Sequence, residues 1–197
     1  MYEDINRFTV YTLKEKDIWL NDFELARQEI LNSFDQKRIN YSQKNFSLDD
    51  QTEVTVVYYD KTLVAFSTIF NRADFYPPNT YRVLNRSWKN PNIRWRKPPY
   101  YILSSLMLKP QIEKAKELNA DAVFISSEGR RSRWLRSWIE GANKEYNNWT
   151  QINGMVQVCG GAYIKCWQNV GYLPLKDNYK HSFKTVSYDD WEKLIEN

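Results

Sequence analysis

Three cations crowd one turn of this chain: Arg94, Arg96 and Lys97 lie within Asn90–Pro99, between a strand-like run and a helix-like one. A turn that opens a helix exposes unpaired backbone N–H groups, which makes it a natural anion site. The cations add charge to that geometry, so these residues point to a phosphate. A denser basic run follows at Arg130-Arg131-Ser132-Arg133-Trp134-Leu135-Arg136. If helical, it puts Arg133 and Arg136 on one face, with Arg130 one turn before them. Basic side chains interleaved with Trp suit a nucleic-acid backbone or an exposed base; they equally suit a solvated face. Cys159 and Cys166 invite a nucleophile or metal reading, but the single histidine, His181, lies in the polar tail. No local motif supports a Cys/His dyad, and a Cys/His zinc site would lack ligands, so no metal is expected. No Walker loop, nucleophile elbow or dinucleotide glycine fingerprint is present.

The phosphate turn needs a strand before it and a helix after it. Tyr81–Trp88 reads as that strand, Tyr100–Asn119 as the helix and Asp121–Ser127 as a second strand. Pro110 falls inside the helix, where it costs about 3 kcal/mol, so a kink or two helices meeting there is expected. Arg130–Asn143 reads as the next helix, with Trp134, Leu135, Trp138 and Ile139 on its apolar side. Upstream, Phe8–Leu13 is a short first strand, and Asp17 could cap a helix carrying Ile18, Phe23, Leu25, Ile30, Leu31 and Phe34. Residues 40–50 are polar and loop-like. Glu53–Tyr59 and Thr62–Phe70 are β-branched and aromatic and read as a hairpin around Asp60-Lys61, whose turn type is open because no glycine is there. Ala73–Thr80 contains Pro77-Pro78 and is irregular.

Downstream, Gly154–Tyr163 and Cys166–Leu175 look like two last strands. Gly160, Gly161 and Gly171 suggest bulges or close backbone approach there. The tail from Asp177 is polar and ends in a short helix, Tyr188–Ile195. Hairpins mixed with a crossover helix predict an α/β sheet with both parallel and antiparallel pairs.

At 197 residues, one domain is the default, 1–197, with a core over about 9–175 and a polar extension over 176–197. Eight Trp and fourteen Tyr supply much of the apolar surface, filling a core or lining a groove for a flat ligand. Charge is uneven: Arg82–Arg136 carries a local +9 and the remainder −5. That asymmetry suits cofactor phosphates, nucleic acid or an acidic protein at the middle segment, or a solvated face. Two cysteines form no disulfide framework, no apolar run opens the N-terminus, and no stretch approaches the roughly 20 apolar residues of a membrane span. The expected location is cytoplasmic, with no membrane.

The element order resembles the GNAT superfamily of N-acetyltransferases over roughly Thr9–Leu175. Ser87-Trp88-Lys89-Asn90-Pro91-Asn92-Ile93-Arg94 is similar to the end of that family's fourth strand. Leu103–Leu118, with Ala-Lys-Glu-Leu at Ala115–Leu118, is similar to the helix after it, and Ala122-Val123-Phe124-Ile125-Ser126 to the fifth strand. Trp134–Gly141 is similar to the following helix. The resemblance implies a GNAT-like mixed, mostly antiparallel sheet flanked by helices, and acyl transfer from acetyl-CoA to an amine. It implies a pyrophosphate held at the loop, pantetheine between the splayed fourth and fifth strands, and a cofactor set of Trp88, Lys89, Arg94, Trp95, Arg96, Lys97 and Tyr101.

The departures fall in the loop. The family pattern is Gln/Arg-x-x-Gly-x-Gly/Ala, and the corresponding positions here are Arg94, Lys97 and Pro99. Both glycines are absent, and Pro98 and Pro99 remove two N–H donors. Arg94, Arg96 and Lys97 could replace those amides with charge. The helical position that carries an acidic Tyr in the family falls on Trp134 or Trp138, so Tyr163 and Tyr146 become the candidate acids. Glu128 ends the fifth strand, where it would serve as a base or an amine-binding carboxylate, or as a carboxylate favoured by the following helix. Asn85 and Ser87 could hydrogen-bond an acyl group or be ordinary strand residues. The basic run could also take the 3′-phosphate of a CoA ligand.

A rival expectation is a catalytically degenerate GNAT-like module that binds nucleic acid or a protein partner through Arg130, Arg131, Arg133 and Arg136. The aromatic, lysine- and asparagine-rich style is also similar to GNAT-like proteins of bacteriophages, which would allow a viral structural or assembly role.

Overall fold

A computed structural model describes residues 4–14, 53–71, 77–90, 92–93, 100–127, 133–158 and 167–195. The helix expected after Asp17 and the loop at 40–50 lie outside them.

The β-branched runs form the strands that their composition predicts. β1 (Phe8–Leu13) pairs antiparallel with β2 (Glu53–Tyr59), which pairs antiparallel with β3 (Thr62–Phe70). Asp60 takes the turn conformation that glycine usually supplies, at φ 53°. Arg7 holds it there: its guanidinium forms an ion pair with the Asp60 carboxylate, and its carbonyl accepts the Asp60 N–H at 3.0 Å. β4 (Thr80–Lys89) follows beside β3. Thr68 meets Asn85 and Val64 meets Asn90, so β3 and β4 run in opposite directions.

The remaining elements are α1 (Tyr100–Glu117), β5 (Ala122–Ser127), α2 (Arg133–Tyr146), β6 (Thr150–Gln151), β7 (Met155–Gln157), β8 (Trp167–Pro174), β9 (Thr185–Val186) and α3 (Tyr188–Ile195). The strand order is β1-β2-β3-β4-β5-β8-β7-β9, with β6 on β8. β4 and β5 are parallel over Thr80–Arg82, as a crossover through α1 requires. The sheet is mixed and mostly antiparallel, in an α/β fold with three helices among the described residues.

The chain divides into two compact units, Met1–Phe70 with Val83–Gln111, and Asn71–Arg82 with Ile112–Asn197. The divisions fall inside β4 after Arg82 and inside α1 after Gln111. In the first unit, Leu13, Val54, Val56, Leu63 and Phe66 form a core cluster with Tyr58 and Trp88 packed on it. Both β2 and β3 are buried along nearly their whole length.

In the second unit, Phe124, Ile152, Val156, Val158, Val170 and Phe183 cluster around β5 and β8. α2 buries Leu135, Trp138, Ile139 and Ala142. Trp134, expected on that apolar side, is 43% exposed and stacks on Trp138 with centroids 6.5 Å apart. Gly171 allows α2 its approach: a Cβ there would lie 2.5 Å from the Ile139 Cδ1. Of the two last strands expected, Cys166–Leu175 occurs as β8, while the one expected over Gly154–Tyr163 differs. Met155–Gln157 is three residues long, Thr150–Gln151 is a separate strand, and Cys159 to Cys166 lie outside the described residues.

α1 runs as one element through Pro110 rather than as two helices. It ends in a Schellman motif: Asn119, at φ 56°, donates to the Lys116 carbonyl, and Ala120 donates to that of Ala115. Asn79 then ties the starts of β4 and β5 together, its amide donating to the Asn119 carbonyl and to Asp121 Oδ1, each at 3.0 Å. Lys176 closes the knot on Asp121 at 2.6 Å. The polar tail is built into the unit: β9 pairs with β7, Phe183 meets the Phe124 ring edge-on with centroids 5.2 Å apart, and the Tyr188 hydroxyl donates to Asn169 at 2.7 Å.

Gly154 sits at φ 97°, and a Cβ there would lie 2.3 Å from the Val186 carbonyl oxygen. Gly154→Ala therefore lowers stability by about 1–3 kcal/mol, read as a fall in Tm. The hydrogen bond from Lys176 holds the Asp121 carboxyl below its ordinary value, with help from Asn79 and against burial. That stabilisation is complete above the ordinary carboxyl pKa and is lost as pH falls through the lowered one. Asp121→Asn should flatten the decline of Tm at acid pH relative to the wild type.

Candidate functional site

β4 changes character in its middle. Its pairing with β5 covers Thr80–Arg82. Two residues later Leu84 sits at φ 49°, outside strand geometry and unusual for a side chain of its size. Val83, Leu84 and Asn85 are all buried, so the alternation of a flat strand is broken there. Both backbone polar groups of Leu84 are taken by side chains. Its N–H donates to Gln111 Oε1 at 2.8 Å, and its carbonyl accepts from Ser87 Oγ at 2.6 Å.

Gln111 comes from α1 and is 1% exposed. Its Nε2 donates to Thr55 Oγ1 at 3.1 Å and to Ser67 Oγ at 2.9 Å. The Ser67 hydroxyl donates on to Met107 Sδ at 3.3 Å. One buried amide thus joins α1 to β2, β3 and β4, with its oxygen and both amide hydrogens used.

The strand beyond Leu84 is anchored to β3. Asn85 Nδ2 donates to Thr68 Oγ1 at 2.9 Å, and that hydroxyl donates back to the Asn85 carbonyl at 3.2 Å. Trp88 stacks on Phe66 with centroids 5.2 Å apart. Asn90 donates to the carbonyls of Val64, through its N–H, and Leu63, through Nδ2, while its Oδ1 accepts from the Asn92 N–H. The turn closes with the Ile93 N–H on the Asn90 carbonyl at 3.3 Å. Asn85 and Ser87, expected either to contact an acyl group or to be ordinary strand residues, both make hydrogen bonds that position β4 itself.

In the second unit, β5 ends in Ser126 and Ser127, which point to opposite faces of the strand. Among the described residues, both hydroxyl oxygens are buried and without a hydrogen-bond partner. Buried orphans of this kind are uncommon and call for a ligand or an ordered water. The pair was not singled out from sequence; the signal available was two small polar residues closing an otherwise apolar strand. Tyr146 lies at the end of α2, and burial, then the charge of Glu145, pushes its phenol above the ordinary value. That makes it a weaker acid than a free tyrosine.

Of the cofactor set expected from sequence, Trp88 and Lys89 are the last two residues of β4, with Lys89 exposed. Tyr101 lies in the first turn of α1. Arg94, Trp95, Arg96 and Lys97 lie outside the described residues, as do Glu128, Tyr163, Arg130 and Arg131. Arg133 and Arg136 are exposed in the first turn of α2. Among the described residues, no group of three His, Cys, Asp or Glu could hold a metal ion, and no helix is long and apolar enough to cross a membrane.

Thr68→Val removes the hydroxyl that serves both the Asn85 amide and its carbonyl. Leaving those buried groups unpaired costs about 1–3 kcal/mol, measurable by chemical denaturation. Ser87→Ala, at an exposed residue, should cost less.

No family model matches the sequence, and no curated protein matches it. Solved structures do. An acetyltransferase from Streptococcus agalactiae superposes with a TM-score of 0.53 at 13% identity, over 86% of this chain and 99% of its own. An acetyltransferase of the GNAT family from Staphylococcus aureus gives 0.52 at 11%, over 85% and 100%. A Bacillus subtilis acetyltransferase solved in complex with CoA gives 0.52 at 15%, over 86% and 99%. The β-β-β-β-α-β-α order, the parallel β4–β5 pair and these superpositions agree that the chain has the GNAT-like N-acetyltransferase fold.

Proposed function

We propose that the protein is a GNAT-type acyltransferase that moves an acetyl group from acetyl-CoA to an amine. The observation that carries this reading is the break in β4: its described pairing with β5 stops at Arg82, and Leu84 turns the backbone that follows. Backbone N–H and C=O groups outside a ladder need other partners, and the amides of an extended pantetheine chain are suitable ones. A fold shared with an enzyme solved in complex with CoA supports the choice of ligand.

On this reading the chain's residues divide the work. Acetyl-CoA supplies the acyl group as an activated thioester. Arg94, Arg96 and Lys97 neutralise its pyrophosphate with side-chain charge, because Pro98 and Pro99 have no N–H to offer. Trp88 and Lys89 present backbone groups to pantetheine, held in place by the stacking of Trp88 on Phe66. Trp95 and Tyr101 follow that segment in sequence, on either side of Arg96 and Lys97. Glu128 orients the amine and takes its proton, and Tyr163 returns one to the leaving thiolate.

Acetyl-CoA at about 100 times its dissociation constant adds roughly 2.7 kcal/mol of stability. At about 2–4 °C per kcal/mol, Tm should rise by roughly 5–11 °C. Replacing both Arg94 and Arg96 with Ala should abolish most of that rise. An unchanged rise would remove those residues from the phosphate site.

A second reading has its own observation. The first turn of α2 carries no acid, and Arg133 and Arg136 are exposed there, where the helix dipole favours anions. With Trp134 left 43% exposed between them in sequence, this end of α2 suits the phosphates and bases of a single-stranded nucleic acid. Binding of a single-stranded oligonucleotide should then weaken steeply with salt, and Arg133→Ala with Arg136→Ala should reduce the log–log slope by about 2. A slope that both substitutions leave unchanged would exclude this surface.

A further inference from the structure

We propose that Gln111 is a positioning residue for acyl-CoA, acting through the backbone of Leu84; this rests on the acyl-transfer reading. A glutamine in the interior of an amphipathic helix usually faces water. Here it is almost fully buried, and its oxygen and both amide hydrogens are used. Its oxygen takes the one N–H in β4 whose residue has left strand geometry. The positive φ departs from an extended ladder, and the donor is satisfied by a side chain from α1. The amide therefore decides where β4 bends and how the backbone from Asn85 to Lys89 is aimed.

The network separates two roles that a single buried residue usually mixes. The Nε2 bonds to Thr55 and Ser67 hold the Gln111 side chain against β2 and β3. The Oε1 bond alone reaches Leu84. A loss on the Nε2 side weakens the core without releasing the bend. A loss on the Oε1 side releases the bend.

The experiment compares Gln111→Met, Gln111→Glu and Thr55→Val with the wild type by calorimetric titration of acetyl-CoA, by Tm and by amide NMR shifts without ligand. Gln111→Met keeps length and burial but has no oxygen for Leu84. Gln111→Glu keeps that acceptor, and the Thr55 and Ser67 hydroxyls can turn to donate to it. Gln111→Met and Thr55→Val should both lower Tm. Only Gln111→Met should shift the amides of Leu84 to Lys89 and weaken acetyl-CoA about tenfold, the scale of one hydrogen bond. Gln111→Glu should restore most of that affinity.

Unchanged amide shifts in Gln111→Met would overturn the proposal, as would an equal loss of affinity in Thr55→Val. If Gln111→Met does not fold, Ser87→Ala provides the second reading. It removes the other side-chain bond to Leu84 from an exposed position and should shift the same amides; no shift would overturn the role of the bend. A wild type that binds no acetyl-CoA would instead defeat the acyl-transfer reading. In that case the amide shifts still decide whether Gln111 sets the β4 backbone.

Discussion

A buried strand that leaves its ladder must find new partners for its backbone groups, and the rest of the first unit is arranged around that need at Leu84. The residue is held at φ 49° with its N–H on Gln111 and its carbonyl on Ser87. A non-glycine residue persists in that conformation only where its surroundings over-determine it. The surroundings here are three strands and a helix, joined through a single side-chain amide. An unsatisfied amide at that depth costs on the same order as the strain, so the bend and the network stand together.

Aromatic packing supplies rigidity at the same points. Trp88 stacks on Phe66 just beyond the bend, so the end of β4 cannot swing without leaving the first unit's core. In the second unit, the Trp138 ring meets Trp149 edge-on at 5.0 Å, while Asn143 clasps the Trp149 backbone through both its N–H and its carbonyl. These rings serve packing in both units. Trp134 is the exception on α2, where a polar partner surface is the alternative to packing.

Much of the fold was legible. The strand at Phe8–Leu13, the hairpin and the final helix Tyr188–Ile195 occur with the expected bounds, because β-branched alternation and short amphipathic periods are local signals. The helix after the basic turn begins at Tyr100 as expected and ends at a left-handed Asn119, where polar capping chemistry is also local. The strand at Cys166–Leu175 was legible too, as Trp167–Pro174, but the short strands around it were not, since two- and three-residue strands carry no period. The candidate site divides in the same way. Trp88 and Lys89 could be placed at a strand end by pattern. Gln111 could not be found, because a polar residue on a helix reads as solvent-facing until its neighbours are known. Asn85 and Ser87 could be read as ligand contacts or as ordinary strand residues, because a polar residue on a strand does not announce its partner.

By itself the sequence determined the element types, the basic turn and the absence of glycines in it, because these depend on side-chain shape, charge and spacing along the chain. It also carried the resemblance that the superpositions support as a fold. Only the tertiary structure decided where β4 bends, which polar groups are consumed inside the core and which, such as the Ser126 and Ser127 hydroxyls, are left over. The physical reason is that hydrogen-bond satisfaction is a property of pairs. Gln111 and Leu84 are 27 positions apart, and no pattern in either segment announces the other.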